Sequence, residues 1–248
     1  MVYIGQSFVR LTLSKLMSSR YSISLTASDL ERRFEIEVSS AYKPRFNAAP
    51  AQLLPVITNT GSEGLSFFYW GIAPQWAKNK TISEKIIHTR AESIHEKPIL
   101  KKALGKQRCI IPADGIYIWK KVGKKTQIPY RVTLKNNAAF ALAGIWEEYD
   151  DENGEFFHTF TVITTNANSL ISLYDERMPV ILEPSAEKVW LSNKITEEEL
   201  MNSLKPYPSE QMDAFTVSAR INNLSIDDSL LILPAPASDQ FGNLTLFD

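Results

Sequence analysis

A single cysteine, Cys109, in 248 residues leaves the chain without any internal disulfide. Such sparing use of cysteine suits a reducing, cytoplasmic setting. Histidine is as scarce: His88, His95 and His158 stand far apart. One thiol and three scattered imidazoles argue against a structural zinc site, so neither metal nor cofactor is expected. The formal net charge is −1, which gives no global basic field. Any nucleic-acid surface has to be a local patch. No run of eighteen apolar residues exists, so no membrane span is expected. In the first sixteen residues Gln6, Ser7, Arg10 and Ser14 interrupt any signal-type apolar stretch, and no A-x-A-like exit precedes Met17.

What is present is an ordinary globular balance, 44% hydrophobic and 22% charged, in a chain long enough to bury a proper core. Helical signals are short. Residues 26–34 (TASDLERRF) offer Thr26 or Ser28 as N-cap, acids in the first turn and arginines in the last. Residues 185–191 and 196–204 repeat that pattern, the second with a Thr196-x-x-Glu199 capping box. The stretch from Asn166 (NANSLISL) predicts a further helix. Strand-like runs rich in β-branched and aromatic residues cover 65–70, 109–111, 130–134, 140–145 and 160–165. Turn chemistry separates them at 123–125, 136–137 and 152–154. Strands outnumber helices without alternating with them, which disfavours a parallel βαβ fold. No repeat or linker splits the chain. The reading is one α+β domain with a largely antiparallel, barrel-like sheet core and short peripheral helices.

Several polar and aromatic clusters sit outside these periodic elements: PRFNAAP (44–50), WGIAPQWAK (70–78), HTRAES (88–93), ERMPVIL (176–182) and VSARINN (217–223). Aromatic faces interleaved with guanidinium groups suit single-stranded nucleic acid, where bases stack and cations neutralise phosphates. Singly, each has a plainer reading: Trp70 and Trp76 as core packing, Arg177 as an ion-pair residue.

In order, MSSRY, PRFNAAP, WGIAPQWAK, TRAES, RCIIPADGIYIWKK, FALAGIWEEY, FTVITTNAN, RMPVIL and VSARIN resemble the successive motifs of the SOS response-associated peptidase (SRAP) family, from Met17 to about Asn223. The resemblance implies a domain over residues 17–235, preceded by an extension (1–16) and followed by a tail (236–248). It implies a monomer that binds single-stranded or abasic DNA in the DNA damage response. In the family, a cysteine directly after the initiator Met captures the abasic aldehyde, its α-amine and thiol closing a thiazolidine ring. The DNA-binding positions that the resemblance carries over are Arg20, Asn47, Trp70, Trp76, Arg90, Glu92, Thr165 and Arg177.

The four family positions that perform chemistry are all substituted. Ser18 stands where the cysteine belongs. Ile118 replaces the glutamate before the tryptophan of GIYIW, and moves no proton. Asp175 stands for the histidine two residues before Arg177, and His88 for the asparagine two residues before Arg90. Either Met17 is the true start, or the preceding residues are a propeptide or appended strand. Cys109, in an apolar run, reads as a buried structural thiol. A new Ser18–His88–Asp175 grouping is disfavoured, since no oxyanion hole is readable. The expected function is abasic-DNA binding without covalent capture. The alternatives are residual lyase or autopeptidase action once Ser18 is terminal, and an interaction scaffold that binds no DNA.

Overall fold

The computed structural model describes residues 19–60, 64–71, 87–123, 126–150, 154 and 156–245. The strands are β1 (Tyr21–Ile23), β2 (Arg45–Ala48), β3 (Leu53–Thr58), β4 (Ser66–Trp70), β5 (His88–Arg90), β6 (Arg108–Ala113), β7 (Gly115–Val122), β8 (Thr126–Leu134), β9 (Phe140–Asp150), β10 (Phe156–Asn166), β11 (Arg177–Pro179), β12 (Ile181–Leu182) and β13 (Met212–Thr216). The α-helices are α1 (Ala27–Phe34), α2 (Pro98–Lys106), α3 (Pro184–Leu191) and α4 (Glu197–Asn202). In one sheet the strand order is β13-β8-β7-β1-β2. In the other, pairings run β10-β4-β3-β6-β9 and return from β9 to β10, closing a five-stranded ring. Pairing is antiparallel except where β4 and β5 lie parallel to β10. The α+β, barrel-like expectation therefore holds.

Side-chain alternation explains why each sheet has an inside. On β7, Ile116 and Ile118 enter the main core with Tyr130 and Val132. Tyr117 and Trp119 face the opposite way, into a smaller cluster with Val217, Ile221 and Leu231. At Gly144 on β9, an added Cβ would lie 2.4 Å from Ile111 Cδ1 and 2.9 Å from Cys109 Sγ, so the residue is kept small by close packing. Cys109 is fully buried, and burial pushes its thiol well above the usual range. That is the inert structural role expected of it.

The helix ends follow their caps. Thr26 Oγ1 accepts the amide of Asp29 at the start of α1, and Thr196 and Glu199 form the expected capping box at α4. Arg108, fully buried, donates to the carbonyls of Leu104, Trp190 and Ser192 at the ends of α2 and α3. A cation there suits the negative end of each helix.

Three local expectations differ from the structure. PRFNAAP is not a turn, because its middle is strand β2, paired with β1. HTRAES opens with strand β5 and continues as a 3₁₀ segment, Ala91–Glu96. The helix expected from Asn166 does not form: β10 runs through that residue, and only a 3₁₀ turn follows at Ile171–Leu173. Asn168 explains the difference. Its side chain accepts from the Ile171 amide (2.9 Å) and donates to the Tyr207 carbonyl (2.7 Å), competing with helical hydrogen bonds. The tail is docked as far as it is described, with Gln240 Oε1 accepting from the Gln127 amide.

Candidate nucleic-acid interface

The site assembles around the start of β1. Ser22 Oγ donates to Asp114 Oδ1 (2.6 Å), and Arg131 Nη2 donates to the same oxygen (2.8 Å), bolting β1 to β7 and β8. The guanidinium passes so close to Gly115 that a Cβ there would sit 2.4 Å from Arg131 Nε. Tyr117 donates its amide to the Arg20 carbonyl, so the chain enters the site alongside Tyr117 and Ile118.

Arg20 is largely buried. It donates to Asn47 Oδ1 (2.9 Å) and to the Ile221 carbonyl (2.8 Å), and no carboxylate among the described residues pairs with it. Burial lowers its pKa to about 10, which leaves it a cation near neutrality. Asn47 is 1% exposed, its amide nitrogen held by the carbonyls of Ile221, Asn223 and Ile226. The Asp227 carboxylate accepts the amides of Phe46 and Asn47. The segment around 221–227 thus closes over β2, an arrangement that no local sequence signal announces.

Trp70 links this corner to the next. Its indole lies 5.4 Å from the Tyr21 ring, 5.8 Å from His88 and 6.0 Å from Phe160, and its Nε1 donates to the Ile87 carbonyl. At 2% exposure it is a core wall with no open face for a base. Trp76 and Ser18 lie outside the described residues.

Strand β10 gathers the remaining positions. In register, Val162 faces His88 and Thr164 faces Arg90 on β5, while Thr165 faces Met178 and Asn166 faces Arg177 on β11. Arg177 forks onto both Glu92 carboxylate oxygens (3.2 and 2.8 Å) and donates to the Thr164 carbonyl (2.8 Å). Partial burial alone would raise the Glu92 pKa, but the hydrogen bonds and charge of Arg177 hold it below the usual carboxylate range. Arg90 is exposed and Thr165 is buried.

Three of the four substituted positions lie among the described residues. His88 is half-buried, its Nε2 inaccessible and without a hydrogen-bond partner among the described residues, and desolvation lowers its pKa to about 4, so the ring is neutral at physiological pH. Ile118, 1% exposed, pairs across the ladder with Tyr130. The Tyr130 ring lies 4.7 Å from that of Tyr174, the residue before Asp175. Asp175 Oδ1 accepts the Arg177 amide. The structure therefore brings Arg20 onto Asn47 and Trp70 onto His88, and links Ile118 to the Tyr174–Asp175 turn through Tyr130. Sequence reading missed Tyr21, Tyr130, Tyr174 and Asp227. The one available signal was inward alternation along β7, which picks out Lys120 after Ile116 and Ile118. Among the described residues no cluster of three metal-type ligands occurs, and no helix is long and apolar enough to cross a membrane.

The chain is 40% identical over 212 residues to the abasic site processing protein YoqW of Bacillus subtilis (strain 168), covering 84% of this chain and 95% of that one. It is 25% identical over 218 residues to the abasic site processing protein HMCES of Xenopus tropicalis, covering 75% and 64%. A crystal structure of a protein from Bacteroides thetaiotaomicron superposes with a TM-score of 0.79 at 29% identity, covering 88% of this chain and 99% of that one. The family model described as SOS response associated peptidase (SRAP) matches residues 17–224, and with that span matched the chain belongs to the SRAP family.

Proposed function

We propose that the protein binds single-stranded DNA at abasic sites and does not form the thiazolidine cross-link. The observation that carries this reading is the contrast within one site. In this reading Arg20, Arg90 and Arg177 supply its cations, while the acid/base position holds Ile118, packed into the core. A thiazolidine needs an amine and a sulfur on the same terminal residue, and Ser18 has no sulfur. The only thiol, Cys109, is buried in a strand. His88, held neutral, supplies no charge to an aldehyde or a phosphate. In this reading Asn47, Trp70 and Thr165 shape the binding surface from beneath, and Arg20, Arg90 and Arg177 meet phosphates. Glu92 sets the Arg177 fork. Trp76 is proposed to stack on a base. A monomer acting in the cytoplasm suffices for this task.

Binding should weaken as salt rises, through counterion release, and single-stranded DNA should be preferred over duplex. Arg90→Ala removes one exposed cation, so affinity should fall severalfold and the salt slope by about 0.7. Arg177→Ala should cost more, because it also leaves the Glu92 carboxylate without its partner and facing the DNA. Arg177→Ala/Glu92→Gln should recover part of that loss. Fluorescence anisotropy with an abasic oligonucleotide at several salt concentrations checks all three. Indifference to every substitution at low salt would remove the nucleic-acid reading and favour an interaction scaffold.

A further inference from the structure

We propose that Lys120 is an amine placed to form a Schiff base with the ring-opened aldehyde of an abasic site, giving strand cleavage that needs no terminal cysteine. This rests on the abasic-DNA reading above. Strand β7 pairs with β8 in unbroken register from Ile116↔Val132 to Val122↔Thr126, so side chains alternate strictly between two faces. Lys120 therefore shares the inward row with Ile116 and Ile118, opposite Ile128. A lysine continuing a row of isoleucines is out of place in a purely structural pattern. It is only partly exposed, its Nζ lies 5.9 Å from the centroid of the Tyr130 ring, and no carboxylate among the described residues pairs with it.

The surroundings locate this amine at the reacting end of the site. Tyr130 is the cross-strand partner of Ile118 and packs its ring at a tilt against that of Tyr174, which precedes Asp175. Arg20, just ahead of β1, runs beside the same strand, its carbonyl accepting the Tyr117 amide. An aldehyde positioned near the first residues of β1 thus lies close to β7, whose inward row carries a primary amine between Ile118 and Val122.

The chemistry balances without an added oxidant or reductant. The Nζ gives up its ammonium proton to water and adds to the C1′ aldehyde; the carbinolamine hydroxyl then takes a proton from solvent and leaves as water, giving a protonated imine. A C2′ proton passes to water, and its bonding electrons form the C1′–C2′ enamine. That electron pair then expels the 3′ phosphate as the C3′–O bond breaks. Water hydrolyses the resulting imine, releasing an unsaturated aldehyde on the 5′ fragment and regenerating the lysine.

The test incubates the full chain with a labelled abasic single-stranded oligonucleotide, with and without cyanoborohydride, and maps the reduced adduct by peptide mass spectrometry. Anisotropy is recorded on the same wild-type samples. The expected result is a cyanoborohydride-dependent adduct on the peptide carrying Lys120. Lys120→Arg keeps a cation over Tyr130 but offers no Schiff-base nucleophile, and should lower trapping at least tenfold. Trapping at the α-amine or another lysine, undiminished in Lys120→Arg, would overturn the proposal. So would DNA binding without any trapped adduct, which leaves the binding reading intact. Absence of DNA binding by the wild type would overturn both.

Discussion

Replacing Ile118 by glutamate should lower the unfolding midpoint sharply at pH 7 and far less near pH 4.5. Ile118 is 1% exposed in the main core, opposite Tyr130. A carboxylate there loses its hydration, and an uncompensated buried charge costs about 3–5 kcal/mol. For a chain of this size that corresponds to a drop of roughly 6–20 °C. The sign of the pH dependence follows from burial, which raises a carboxyl's folded-state pKa above its unfolded value. Below the unfolded pKa both states are protonated and the charge penalty vanishes. As pH rises through the window between the two values, the folded state resists ionisation and the loss grows to its full size. Lys120, next on the same inward row, is the cation placed to offset part of it. Thermal melts of Ile118→Glu and Ile118→Gln at the two pH values separate charge from shape. A pH-independent loss equal in both variants would show that packing alone is at stake.

The second large effect is a gain of function. A chain beginning at Met17 with Ser18→Cys should acquire a denaturant-stable cross-link to abasic DNA, where the parent has none. Removal of the initiator Met frees the amine beside the new thiol, and ring closure can proceed on the sulfur's own nucleophilicity. Acid/base help stays absent, because Ile118 is inert and the family's histidine is replaced by Asp175. Such help is worth about 10²–10⁴ in rate, so capture should be slow. Adding Ile118→Glu should accelerate it, since a buried carboxyl with a raised pKa is suited to proton transfer near pH 7. Stability then limits the gain, so the comparison belongs at a temperature where the double variant stays folded. Ile118→Glu without the cysteine should give no stable adduct. Prolonged incubation of the double variant with bound abasic DNA and no adduct would mean that the pocket geometry itself differs from the family's.

The fold was legible wherever alternation or capping is local. Residues 140–145 announce β9 through β-branched and aromatic residues, although the strand continues to Asp150. Thr196 and Glu199 announce α4 through reciprocal hydrogen bonds within four residues. By contrast, α2 begins at Pro98 with no side-chain cap, so nothing local marks it. Strand β2 hides between prolines because its pairing partner is β1, more than twenty residues away. The site divides in the same way. Motif order named its residues, but not their depth. Trp70 and Asn47 read as contact residues from sequence and are buried in the fold, because Tyr21, Phe160 and the 221–227 segment arrive from distant parts of the chain. Lys120 was visible only once the β7–β8 register fixed which face it occupies.

Intact-mass spectrometry of the purified protein, before and after incubation with abasic single-stranded DNA and without reductant, tests the central claim most directly. The same sample is checked for binding by anisotropy under native conditions. The account predicts clear native binding and, after denaturation, a protein mass unchanged by the DNA. A denatured species heavier by the oligonucleotide, stable in the absence of reductant, would contradict it.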